Sequence, residues 1–137
     1  MSDGVLLVRV DGRAYGLPLG RVVAVDDMGE VLAVPHVVAA VRGLMPRRGR
    51  LVPLVHLGAL LGNRAPPAER GRAAVLVDLS GGGRVLAFEV DDADEVVRDP
   101  VLPVPPGESL PFAAGVVQRA GALVPILDCT RLESRIP

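Results

Sequence analysis

The chain has 137 residues, half of them hydrophobic, and a mean hydropathy of +0.40, so it is no disordered segment and can bury a core of ordinary domain size. Fifteen basic residues, all arginine, stand against sixteen acidic ones, and a net charge of −1 excludes a global field for gathering nucleic acid or an anionic membrane. A lone cysteine, Cys129, excludes an internal disulfide framework and suits a reducing compartment.

From the start, Met1 to Gly4 shows no basic region or cleavage signal of a secretory leader. Val5–Val10 reads as a strand, turned by Asp11-Gly12. Tyr15–Val25 reads as one long strand bent at Pro18 and Gly20. A short strand over Val31–Val34 ends at Pro35, and residues 35–41 suit a turn or two of helix with proline at its start. The apolar stretch Val31–Val41 is too short to cross a bilayer, so a cytoplasmic protein is expected. Leu44–Met45 against Arg50–Val55 makes a tight hairpin around Gly49, and Leu57–Leu61 makes a short helix. Residues 63–73, rich in Pro and Arg, form a linker. Beyond it the order recurs: a strand over Ala74–Leu79, a Ser80–Gly83 turn, a strand over Val85–Val96, a Pro-rich connection over Asp99–Pro111 and a final hairpin.

That recurrence is a duplication. Gly43–Val55 aligns without gaps on Gly115–Leu127 at an offset of 72. Six of the thirteen pairs are identical: Gly43/Gly115, Arg47/Arg119, Gly49/Gly121, Leu51/Leu123, Val52/Val124 and Pro53/Pro125. The halves span 5–62 and 74–134. Each is small for an independent core, so they are expected to pack together as one unit over 1–137, monomeric in isolation. Many short strands joined by glycine turns point to an all-β (mainly) fold of two tandem five-stranded barrels, with a few short helices.

The ordered set Tyr15-Gly16, Arg21–Val25, Pro35, Val41–Gly43, Arg48-Gly49 and Leu51–Val55 resembles the CheW-like family. So does the second half, with Phe88–Asp91, Val96-Val97, Gly115-Val116 and Ile126–Asp128. The resemblance covers about Val5 to Leu132. It implies SH3-like barrels with no catalytic site, no cofactor and no metal. It also implies two partners: the cytoplasmic tip of a chemoreceptor and a chemotaxis histidine kinase of the CheA type. Carried over by position, the receptor-facing residues are Val22, Ala24, Arg48 and Gly49. The chain departs from the family pattern at Ala24, Pro46, Arg47, His56 and Gly58, where the family has Glu, Asn, a hydrophobic residue, Asp and often a basic residue.

Arg48 and Arg50 correspond to Ala120 and Ala122, so the fold does not require those arginines and partner contact is the better reading for Arg48. Arg47, matched by Arg119, is expected to be structural, its stem packed and its head at the surface. His36 and His56 lack neighbours at zinc-ligand spacing, and Cys129 lacks a recognisable base. The acidic run Asp91, Asp92, Asp94 and Glu95 suits a solvated strand edge better than acid–base work. Three functions follow in order. The first is a chemoreceptor–kinase adaptor; a divergent variant of it would bind the kinase or another scaffold but no standard receptor. The second is a small-barrel binder of single-stranded nucleic acid, disfavoured by three aromatics and a slightly acidic chain. An enzyme comes third.

Overall fold

A computed structural model describes residues 4–35, 38–62, 64–108, 110 and 112–136. Strands β1 (Val5–Val10) and β2 (Arg13–Pro18) form the first hairpin. Its turn, Asp11-Gly12, has φ of 55° and 74°, the two-residue geometry that matches strand twist. At Pro18, which has no N–H to donate, pairing stops. The chain makes a 3-10 turn over Leu19–Arg21 and enters β3 (Val22–Asp27) in a different sheet. The single bent strand expected over Tyr15–Val25 is therefore two strands.

The strand expected over Val31–Val34 shrinks to one bridge, Leu32 to Leu44. Of the helix expected over 35–41, His36 and Val37 lie outside the described residues; Val38–Ala40 turn, and Val41 already opens a strand. Then come β4 (Val41–Arg47), β5 (Arg50–His56) and helix α1 (Leu57–Gly62). The second half supplies β6 (Ala73–Asp78), β7 (Val85–Val90), β8 (Asp92–Val97), β9 (Ala113–Arg119), β10 (Ala122–Leu127) and α2 (Cys129–Glu133). Again a stretch read as one strand, Val85–Val96, divides between sheets, here at Asp91.

The result is mainly β, two five-stranded sheets, but they do not follow the two halves. Sheet A runs β8-β1-β2-β10-β9 and sheet B runs β3-β6-β7-β5-β4. Each takes two strands from one half and three from the other. Among the described residues, only β2 with β10 and β5 with β7 pair in parallel.

All five strands of sheet B send side chains into one small core: Ala24, Met45, Val52, Leu54, Ala74, Leu76 and Ala87. Sheet A does the same around Val5, Ala14, Val97, Val117, Val124 and Ile126. Five strands sharing one interior means each sheet curls into a barrel. A third core lies between them. It holds twenty of the described buried residues, Leu17, Phe88 and Leu132 among them, against six and five in the barrels. Side chains alternate along a strand, so β6 sends Ala74 and Leu76 into its barrel and Val75 and Val77 into the shared core. Burial on both faces explains why β1 and β6 read as nearly continuous apolar runs.

The duplication is repeated in backbone detail. Arg48-Gly49 and Ala120-Gly121 both turn with φ of 50° and 78°. A β-carbon on Gly43 or Gly115 would run into the carbonyl of Leu32 or Leu102, the residues that bridge to Leu44 and Val116. Glycine is fixed at both places by this close approach.

Candidate partner-binding site

Strand β3 and the β4–β5 turn lie at opposite edges of sheet B, and barrel closure brings them together. The Arg47 Nε donates to Asp26 Oδ2 at 2.6 Å across that seam. Its counterpart Arg119 spans the seam of sheet A, paired with Glu95 and, at 3.6 Å, Asp99. Both arginines close their barrels, as the structural reading of Arg47 requires. Arg48, Gly49 and Arg50 stay exposed at the turn.

Of the four residues carried over from the family, Val22 and Ala24 lie on β3, which borders the turn carrying Arg48 and Gly49 through Asp26, and the four do not all face outward. Val22 is half-buried against the shared core and Ala24 half-buried in the sheet B barrel. The side chains that β3 presents to solvent are Val23 and Val25, at 53% and 44% exposure. The cause is the alternation of side chains along β3, which turns Val22, Ala24 and Asp26 inward and Val23, Val25 and Asp27 outward. Strand parity in Arg21–Val25 could have signalled this; the register shift in the pairing with β6, which accompanies the parting of Val22 to the shared core and Ala24 to the barrel, is what sequence alone does not reveal.

Beside the turn, the outer face of the β4–β5 hairpin is apolar. Leu44 pairs with Pro53 and Pro46 with Leu51, while Leu32 bridges to Leu44. Leu51 is 55% exposed. The equivalent face of β9–β10 is also largely apolar, with Val116 opposite Pro125, Leu102 bridged to Val116 and exposed Leu102 and Leu123, but it has Gln118 in place of Pro46 and Ala120 and Ala122 at its turn. What is particular to the first copy is the arginine rim of Arg48 and Arg50 around that platform.

His56 and Cys129 take structural places. His36 lies outside the described residues. The Ala59 N–H donates to His56 Nδ1 at 2.9 Å, capping the first turn of α1. In the second copy Asp128 does this for α2, its Oδ1 accepting from the N–H groups of Thr130 and Arg131 at 3.0 and 3.3 Å. Burial depresses the His56 pKa below 6.5, overriding the opposing pull of Glu89 and Asp11. Burial likewise raises the Cys129 thiol to about 11, so it is not a ready nucleophile. Asp91 Oδ2 accepts from the Asp11 N–H at 3.1 Å, and β8, which carries the acidic run, is an edge strand. No group of three metal-ligating side chains occurs among the described residues. No helix among them is long and apolar enough to cross a membrane.

Sequence reasoning passed over one pair. Glu89, fully buried in β7, accepts from Arg42 Nε at 2.7 Å and Nη2 at 3.2 Å, and from the Gly71 N–H at 2.6 Å. Arg42 also donates to the Glu69 carbonyl at 2.8 Å, so the pair pins the linker to sheet B. A carboxylate inside the apolar run Val85–Val90 was the available signal.

A family model described as the CheW-like domain matches residues 4–136. Comparison with curated proteins finds no match. Among solved structures the chain is similar to the scaffolding protein TtCheW from Thermoanaerobacter tengcongensis, with a TM-score of 0.77 over 93% of this chain and 89% of that one. Sequence identity is 19%, so this likeness speaks for the fold.

Proposed function

This chain belongs to the CheW-like domain family, and on that ground we propose that it couples the helical tip of a chemoreceptor to a CheA-type histidine kinase. Membership makes it a non-catalytic scaffolding domain. The receptor and the kinase are the finer reading. What carries it is the apolar platform of exposed Leu32, Pro46 and Leu51 with half-buried Leu44 and Pro53, edged by Arg48 and Arg50, a cationic rim that the duplicate hairpin lacks. Apolar anchors ringed by polar groups are the usual anatomy of a protein–protein contact.

The departures from the family pattern support this reading over the divergent one. Ala24 is half-buried, Arg47 is engaged with Asp26, and His56 and Gly58 are buried. Of the five, only Pro46 is exposed on the outer face. The changes fall mostly inside, where they leave the presented surface alone. Titration of the protein with the regulatory domain of a chemotaxis kinase from the same organism is expected to show a moderate affinity. No binding to any such kinase overturns the adaptor reading.

Arg48→Ala is expected to weaken association with receptor cytoplasmic fragments by about 1–3 kcal/mol, the loss expected for charge-assisted hydrogen bonds from a guanidinium. Stability is expected to change by about half a kcal/mol, because Ala120 already occupies the same left-handed turn position. Arg119→Ala is the control: it costs about 1 kcal/mol of stability or less, as exposed ion pairs do, and leaves association unchanged. Thermal melts paired with titrations separate the outcomes. Unfolding of Arg48→Ala makes that side chain structural, and wild-type binding by both variants places the partner elsewhere.

A further inference from the structure

His56 and Asp128 hold equivalent posts at the ends of β5 and β10, and their backbone settings agree: the His56 N–H donates to the Ala40 carbonyl at 2.9 Å and the Asp128 N–H to the Phe112 carbonyl at 2.6 Å. Their side chains do the same work with different chemistry. A carboxylate such as Asp128 accepts from N–H groups at any pH well above its ordinary pKa of about 3.9. The Nδ1 of His56 accepts from Ala59 only while it carries a lone pair, which places the ring proton on Nε2. A second proton would turn Nδ1 into a donor facing a donor.

The helix it caps matters to the shape of the molecule. Leu57, Ala59 and Leu60 on α1 are buried in the shared core. Its other side, with Gly58, Leu61 and Gly62, lines a cleft of about 720 Å³ whose facing wall is Ala122–Pro125 of β10. Beyond α1, the Arg64 N–H donates to the Ala59 carbonyl at 3.0 Å, and its guanidinium pairs with Asp11. Gly58 sits between the Asp11 carboxylate and the His56 ring, where a β-carbon would collide with the carboxylate. The helix is thus held at one end by His56 and at the other by Arg64.

We propose that His56 is a proton-operated latch on α1: neutral, it fixes the helix and the cleft wall; protonated at Nδ1, it releases the first turn. His56 is 2% exposed. Charged groups face it from every side. Glu89 lies opposite on β7 and Asp11 on the first turn, both favouring the proton; Arg42 on β4 and Arg64 oppose it. Glu69, Arg70 and Asp91 complete the pocket it lines. Desolvation outweighs the acids. Because the folded-state pKa lies below 6.5, the latch is engaged above that value and is lost as pH falls through the lower one. An adaptor built this way loosens its cleft in acid on one copy only.

The test uses the protein alone and so stands apart from the identity of its partners. Amide hydrogen exchange and ¹⁵N chemical shifts are followed from about pH 8 to about pH 5, the range in which histidine titrates. Protection of the Ala59 and Leu60 amides, corrected for intrinsic exchange, is expected to fall about tenfold, the equivalent of a lost helix cap. The Ala59 shift is expected to follow the His56 imidazole, and the α2 amides of Thr130 and Arg131 are expected to stay flat. His56→Asn, a cap that does not titrate, is expected to abolish the change in α1. Equal responses in α1 and α2, or an unchanged response in His56→Asn, overturns the proposal. Should that variant not fold, an Ala59 shift that fails to follow the wild-type imidazole overturns it equally.

Discussion

Divided at the linker, residues 1–63 and 73–137 are expected to be unfolded when alone and to recover a native fold only when mixed. The first piece holds β1 and β2 without the β8 and β10 that flank them, and β3, β4 and β5 without the β6 and β7 that join them. The second is deficient in the complementary way. Both also lose the far wall of the shared core, the largest apolar cluster in the molecule. A half-sized chain with open sheet edges and a split core does not offset the entropy of ordering, since a whole domain retains only about 5–15 kcal/mol. Circular dichroism and amide NMR dispersion of each fragment, then of an equimolar mixture, read this out. A sharp, independent melt in either fragment would show that the halves are true domains.

Arg42→Ala is expected to destabilise the protein by about 3–5 kcal/mol, because it strands the Glu89 carboxylate in a site with no solvent access. The melting temperature falls by roughly 10 °C or more. Adding Glu89→Gln to that variant is expected to restore part of the loss. The amide is uncharged and still offers an oxygen to the Gly71 N–H, now bonded to Oε2. This sign is diagnostic. If the double variant is less stable than Arg42→Ala, the guanidinium's worth lies in its hold on the Glu69 carbonyl and in packing, and the buried charge is not what makes it necessary. Chemical denaturation of the four proteins closes the cycle.

Much of the fold was legible because its signals are local. Asp11-Gly12, Arg48-Gly49 and Ala120-Gly121 turn where the sequence places turns, and the offset of 72 carries over to β4 and β9 without adjustment. The division of Tyr15–Val25 was not legible. Pro18 marks a bend and a break equally well, and only the pairing of β3 with β6, some fifty residues on, decides between them. The candidate site divides in the same way. Arg48 stood out because its duplicate is alanine, a comparison internal to the chain. Val23 and Val25 were legible from strand parity, which the carry-over by family position did not use, whereas Arg42 and Glu89 are 47 residues apart with no spacing rule to join them.

The order of strands has a bearing on how the chain is made. Sheet B uses β3 to β7 in unbroken succession, whereas sheet A is assembled from what lies on either side. During synthesis every pairing in sheet B is available once Val90 has left the ribosome. The β1–β2 hairpin, made before sheet B, must wait for β8 and β10 before both its flanks are covered. For that interval it presents unpaired backbone on two sides, the condition in which nascent chains attract chaperones or one another.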